Sequence, residues 1–267
     1  MPAAVERSGR EQGNPGDRPS FLQRRVQGLR YRWHRHRSSH VLVSFPKSGR
    51  TWLRGMLERY LALTGAPPPA PLDAWFPWRR TGSDRRVPRL LFLHPLCRET
   101  DPAATWRLVD RLARKRLVLL VRHPEGTLRG YYFRLRLRER DPLALALSFS
   151  DFLRHPELGA PRLVAFLNQW AAARDRFAAS LLLRHEDVAA APAEQLVRLA
   201  RFLDLPVNAD AAREAAGLPD TTTRGLDDGS VRYAAADREY LAQQLARLDP
   251  ALGYAPGVDG PGGEVTR

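Results

Sequence analysis

The sequence predicts an α/β protein with a parallel β-sheet flanked by helices on both faces. Three observations carry that expectation. Short, continuous apolar runs recur at residues 41–43, 90–93, 117–121 and 181–183. Such runs suit strands buried on both faces, whereas one-sided sheets alternate apolar and polar residues. Segments with apolar residues at three- and four-residue spacing lie between them, as crossover helices require. The first run also leads through a proline- and glycine-containing turn directly into a helical pattern.

Taken in order, residues 1–39 are expected to form an arm outside the folded domain. Residues 1–20 are rich in Gly, Pro, Arg and Glu without periodicity and read as disordered. Residues 21–40 carry six arginines and no acid, interleaved with Phe21, Leu22, Val26, Leu29, Tyr31 and Trp33. That pattern fits a solvated arm packing one apolar edge on the domain. It also fits a basic amphipathic segment in weak contact with an anionic membrane surface. His34 and His36 have no Cys or carboxylate beside them to complete a metal site.

The domain is expected over residues 40–255. Val41, Leu42 and Val43 form the first strand, and Pro46, Ser48 and Gly49 break it. A helix follows from Thr51, its apolar face made by Leu53, Met56, Leu57, Tyr60 and Leu61. Proline-rich residues 66–71 make a stiff loop. Trp75, Phe76 and Trp78 then either line an acceptor pocket or form a small core beneath the loop. The second strand, residues 89–94, stops at Pro95. A helix over 102–114 leads to the third strand, 117–121, which ends at Arg122-His123-Pro124, and another helix opens near Glu125. Residues 152–177 read as largely helical with a break near Pro161. The fourth strand ends in Arg184-His185-Glu186-Asp187, and Pro192 opens a helix, where its missing N–H costs nothing. The C-terminal part is helical in patches, and residues 256–267 form a flexible Gly/Pro-rich tail. No internal repeat or second boundary interrupts this domain.

Composition narrows the class further. A chain of 267 residues can bury a core without staples. The single cysteine, Cys97, permits no internal disulfide, and the N-terminus lacks the apolar stretch of a secretory signal. A cytoplasmic protein is expected, with no membrane span. The net charge of +14 suits a nucleic acid, an anionic membrane or a small polyanion. The bases are nearly all arginine; only Lys47 and Lys115 are lysines. A lysine retained in the first turn hints at a need for a compact, mobile ammonium in place of a planar fork.

The strand–turn–helix unit of residues 40–61 has the architecture of an anion site. Backbone N–H groups at the helix start are unpaired, and the helix dipole adds partial positive charge. The turn does not satisfy the P-loop pattern G-x-x-x-x-G-K-[ST], because Ser44 replaces the first glycine and Lys47 precedes Gly49. In an open parallel sheet, ligands bind beyond the carboxyl ends of the strands. Those ends carry the Lys47 turn, His94, Arg122 and residues 184–187, four charged or titratable ends on one rim.

The heptad PKSGRTW, residues 46–52, resembles the PKSGTTW loop of the cytosolic-type sulfotransferases at six of seven positions. Over about residues 40–250 the order of motifs is similar to that family, and the resemblance implies its P-loop-like fold. It implies a co-substrate, 3′-phosphoadenosine 5′-phosphosulfate (PAPS), no metal, and an acceptor hydroxyl on a small molecule, natural product or glycan. Lys47, Ser48, Gly49, Arg50 and Thr51 would then surround the 5′-phosphosulfate, with Trp52 on the adenine. His94 sits where the family places its catalytic histidine. RHPEGTLRGYYF, residues 122–133, resembles the segment that holds the 3′-phosphate, with Arg122 as its arginine. Gly126 stands where the family has an acid, and Gly130 where it has a serine. RHEDV, residues 184–188, resembles a YEDL strand end, with His185 in place of the adenine-contacting tyrosine. Arg224 and Gly225 are similar to the C-terminal R-K-G motif, without its downstream tryptophan.

The expected chemistry is positioning and charge neutralisation, by analogy with phosphoryl transfer. Lys47 would act on the bridging oxygen. His94, at an ordinary pKa of about 6.5, would accept the hydroxyl proton. Glu99 and Asp101 are the next candidates for that base. Arg122 either holds the 3′-phosphate or pairs with a neighbouring carboxylate such as Glu125. The arginines at 129, 134, 136, 138 and 140 read as a solvated helix face able to attract an anionic acceptor. Two other readings stay open. A P-loop kinase would use ATP, with Glu186-Asp187 as the only strand-end acids for Mg²⁺. A basic nucleic-acid-binding module would show steep salt dependence; no nucleic-acid partner is expected.

Overall fold

A computed structural model of the chain describes residues 38–65, 90–94, 101–220 and 231–254. Expectations for the N-terminal arm, Trp75 and Trp78, Glu99, Arg224, Gly225 and the C-terminal tail lie outside these residues.

The sheet has four parallel strands: β1 (His40–Ser44), β2 (Leu90–Leu93), β3 (Arg116–Val121) and β4 (Ala179–Arg184), in the order β2-β1-β3-β4. β1 is buried along its length, as a central strand covered on both faces should be. Side chains alternate between two cores. Val41, Val43, Leu117, Leu119 and Val121 join one cluster, and Leu42, Val118 and Leu120 the other. The α/β class expected from the apolar runs is the one observed.

Helix α1 (Arg50–Leu63) buries Leu53, Met56, Leu57, Tyr60 and Leu61 on the Leu42 face. Helix α2 (Pro102–Leu112) begins at a proline, and the Asp101 carboxylate accepts the Ala103 N–H at 2.9 Å, so this acid is a helix cap. Helix α3 (Pro124–Phe133) follows β3 and runs into a π-helical turn over Arg134–Glu139. Helices α4 (Pro142–Ala146), α5 (Phe149–Arg154) and α6 (Ala160–Ala173) come before β4. The break expected near Pro161 falls instead at residues 155–159; Pro161 sits within the first turn of α6, which needs no N–H there. After β4 come α7 (His185–Ala190), α8 (Pro192–Phe202), α9 (Ala209–Ala216) and α10 (Ala235–Leu245). Residues α8 and α9 bury, including Leu196, Leu199 and Ala212, join the Leu42 cluster; Leu163, Phe166 and Trp170 of α6 and Leu241 of α10 join the other.

This topology places the site. The chain leaves β1 toward β2 on one side of the sheet, then crosses to β3 on the other side of β1. The strand order therefore reverses between β1 and β3, and the crevice at their carboxyl ends is where ligands bind in open α/β sheets.

Candidate active site

The turn after β1 is built to expose its backbone. Lys47 (φ 73°) and Gly49 (φ 89°) both adopt the left-handed region. The Ser48 N–H donates to the Phe45 carbonyl at 3.4 Å, closing the turn, and the helical ladder begins with Leu53 N–H to Gly49 C=O at 3.1 Å. No side chain caps α1 and no acid occupies its first turn. The Arg50, Thr51 and Trp52 N–H groups thus stand ahead of the ladder, where an anion completes them. Ser48 is buried and Thr51 exposed. Glycine at 49 is required twice: by its φ, and because a Cβ there would collide with His185 Nδ1.

The Lys47 stem lies across Gly130 of α3, where an added Cβ would come within 3.1 Å of Lys47 Cε. Burial pushes the Lys47 ammonium down to about 8, and the charges of Arg138, Arg122 and Arg134 push the same way. One stride back along α3, a Cβ at Gly126 would lie 3.0 Å from Arg122 Nε. The two glycines that replace larger residues of the resembled motif therefore make room for the two cations. Arg122 spans the crevice, its Nη1 donating to the Lys47 carbonyl at 3.2 Å. Its Nε is buried without a hydrogen-bond partner. Among the described residues, neither Glu125 nor any other carboxylate hydrogen-bonds this guanidinium.

His94 follows β2 and turns back on β1. Its Nδ1 lies 2.7 Å from the Ser44 carbonyl and 3.3 Å from Ser44 Oγ. A carbonyl only accepts, so Nδ1 carries the proton and Nε2 keeps the lone pair. The expected pKa of 6.5 is corrected here. Burial and the adjacent Arg50 push this imidazole down to about 3, against the opposing bond to Ser44. It is neutral at physiological pH and a weak base in the ligand-free site.

At the β4 end, His185 is the first residue of α7. It sits edge-to-face with Trp52 (centroids 5.7 Å apart), and its Nε2 lies 3.8 Å from an Asp220 carboxylate oxygen. The Trp52 indole N–H donates to the Leu218 carbonyl at 2.7 Å, which fixes the ring beside His185. Glu186, one residue on, is structural. It accepts the His123 N–H at 2.8 Å and the Tyr254 hydroxyl at 2.9 Å, tying the start of α3 to the C-terminal segment. Tyr254 in turn lies under Arg184, 4.6 Å from the ring centroid. Sequence reasoning missed Asp220, Tyr254 and the effect of the Arg50 charge on His94. Asp220 and Tyr254 carry no local signal; Arg50 was visible as the one departure in the heptad.

The arginines past α3 divide into two sets. Arg136 Nη1 donates to the Ala144, Leu145 and Leu147 carbonyls at 3.0–3.2 Å and closes the following loop. Arg134 pairs through Nε with Glu139 at 2.7 Å. Arg138 and Arg140 are exposed, as a solvated face requires, whereas Arg134 and Arg136 are half-buried. No cluster of three or more His, Cys, Asp or Glu side chains arranged for a metal occurs among the described residues, and no helix among them is long and apolar enough to cross a membrane.

No protein-family profile matches the chain, and no curated protein is similar to it in sequence. Its fold is similar to the crystal structure of a sulfotransferase from Alicyclobacillus acidocaldarius. The TM-score is 0.51 and the identity 16%, over 82% of this chain and 97% of that one. At that identity the likeness is one of fold.

Proposed function

We propose that this chain transfers a sulfuryl group from PAPS to the hydroxyl of a small molecule, natural product or glycan. One observation carries the reading. An uncapped helix start, Lys47 and Arg122 meet at the crevice between β1 and β3, and the hydrogen bond from Arg122 to the Lys47 carbonyl holds them together. A ligand with two separated phosphate-like groups suits that pair of cation sites. The fold shared with a sulfotransferase supports the same reading.

The donor supplies an activated sulfuryl group. On this chain, the N–H groups of Arg50, Thr51 and Trp52 hold its 5′-phosphate. The Lys47 ammonium, charged below about pH 8, neutralises the oxygen that departs with the phosphate. The buried, unpartnered Nε of Arg122 and the adjacent guanidinium nitrogens hold the 3′-phosphate. Trp52 and His185 offer ring edges and faces to the adenine. Arg224 and Gly225 complete the 3′ site in this reading. The acceptor oxygen forms the new S–O bond as the bond to the leaving phosphate breaks, and His94 Nε2 takes the hydroxyl proton. That proton transfer becomes favourable only as negative charge next to His94 raises its basicity.

Of the two strand-end acids an ATP–Mg²⁺ site would use, Glu186 is committed to His123 N–H and Tyr254, and Asp187 lies 3.9 Å from Arg184 Nη1. That weighs against the kinase alternative. Thermal-shift measurements with adenosine 3′,5′-bisphosphate, ATP–Mg²⁺ and a short DNA duplex separate the readings. Stabilisation by the bisphosphate alone is expected. Stabilisation by ATP–Mg²⁺ or by the duplex alone overturns the proposal.

A further inference from the structure

More positive charge gathers at this rim than the donor uses. Gly126 and Gly130 lie on one stripe of α3, and that stripe passes under Arg122 and Lys47. The next two positions at the same spacing are Arg134 and Arg138. They fall in the π-helical turn, whose i→i+5 bonding widens each turn to somewhat more than four residues. The widening keeps residues four apart on one face, so Arg134 and Arg138 continue the stripe past Lys47. Arg136, between them, points away and is consumed by three backbone carbonyls.

From the opposite side of the crevice comes Arg50. It is half-buried at the first position of α1 and makes no hydrogen bond or ion pair among the described residues. Its charge and that of Arg134 both act on His94, and Arg134 and Arg138 both act on Lys47. Arg134 engages Glu139 through Nε, and neither Nη is engaged among the described residues. Holding these like charges together without a ligand is unfavourable. The donor's phosphates are met by the turn N–H groups, Lys47 and Arg122. Of the remaining guanidiniums, Arg50 and Arg134 act on His94, on the acceptor's side of the transferred group, and Arg138, exposed at the outer end of the stripe, acts on Lys47.

From this arrangement we infer that the acceptor is itself an anion. A carboxylate, sulfate or phosphate on the same molecule as the reacting hydroxyl is held by Arg50, Arg134 and Arg138. The inference rests on the donor reading given above. It adds a substrate class, and it assigns Arg50 to acceptor recognition through its side chain. A bidentate guanidinium contact would also fix the hydroxyl relative to His94 Nε2, which a point charge does less well.

The test uses the full chain and labelled PAPS with two matched acceptor pairs, 4-hydroxyphenylacetate against 4-hydroxyphenylacetamide and methyl β-glucuronide against its primary amide. In at least one pair, kcat/KM for the acid is expected to exceed that for the amide by about tenfold or more, the worth of one charge-assisted hydrogen bond. Arg50→Gln and Arg138→Gln should each bring that ratio toward unity, mainly through KM. Calorimetry with adenosine 3′,5′-bisphosphate keeps the two ideas apart: Arg138→Gln should leave that affinity within about threefold. If neither pair is turned over, binding of the acids to bisphosphate-saturated protein decides. An amide that matches its acid in both pairs overturns the inference. So do an acid preference that survives both substitutions, and bisphosphate-saturated protein that does not distinguish acid from amide. Protein that fails to bind the bisphosphate at all removes the donor reading and the inference with it.

Discussion

The turn after β1 and the rim beyond β3 and β4 meet in one crevice, but they are made of different material. The turn presents main chain: three N–H groups ahead of the α1 ladder, placed by left-handed conformations at Lys47 and Gly49. The rim presents side chains from distant parts of the sequence, among them Arg122, His185, Glu186, Asp220 and Tyr254. A main-chain site depends on a short run of adjacent residues, because backbone conformation is local. A side-chain site depends on which strand ends the topology brings together, and its residues can change singly. The close match of residues 46–52 to a known loop, and the substitutions at Gly126, Gly130 and His185, follow from that contrast.

The largest effect should come from removing the one side chain that belongs to both regions. Lys47→Ala is expected to lower turnover by about two to three decades, as loss of a donor aimed at developing charge does, while bisphosphate affinity falls less. The same residue sets a pH limb. Its pKa lies near 8 in the free protein, so it is charged below that value and loses its proton as the pH rises through it. Bisphosphate affinity should therefore weaken above about pH 8 in the wild type, and Lys47→Ala should lose that limb. Unchanged transfer in Lys47→Ala would make the lysine an ordinary turn residue.

Much of the fold was legible in advance, for a physical reason. Strands buried on both faces must be continuously apolar, and the four runs found that way are the four strands of the described sheet. The helix break near Pro161 was misplaced because proline marks a helix start as readily as a stop. At the site, the turn could be read from adjacent residues. The titration of His94 could not, since it depends on burial and on Arg50, forty-four positions away in sequence. Nor could the roles of Glu186 and Tyr254, which meet only after the C-terminal segment folds back. The arginine run looked uniform because the role of Arg136 as a loop clamp depends on the π-helical turn and on the carbonyls of residues 144–147.

A smaller effect sharpens the same contrast through two glycines. Gly49 and Gly65 both have positive φ, but a Cβ at Gly65 meets nothing within 4 Å, whereas at Gly49 it runs into His185. Gly65→Ala should cost about 1 kcal/mol in denaturant unfolding, the conformational term alone. Gly49→Ala should cost more and should also weaken bisphosphate binding. Equal losses in the two variants would mean that the turn and His185 do not constrain each other.

The smallest expected change is none at all. His94 has a depressed pKa, so it is neutral above about 3 and should stay so through the physiological range. Its Cε1 proton resonance in the ligand-free protein should hold still from pH 8 down to about 4.5. A titration centred near 6.5 would show that Arg50 and burial do not act on the imidazole as described.

The central claim is that both regions bind one nucleotide, the turn its 5′ end and the rim its 3′ end. Calorimetry with adenosine 3′,5′-bisphosphate and 5′-AMP, on wild type and on Arg122→Gln, tests it most directly. The wild type should prefer the bisphosphate by about tenfold or more, the worth of a charge-assisted contact to the 3′-phosphate. Arg122→Gln should lose most of that preference with little change for 5′-AMP. Equal affinity of the wild type for the two nucleotides would contradict the account.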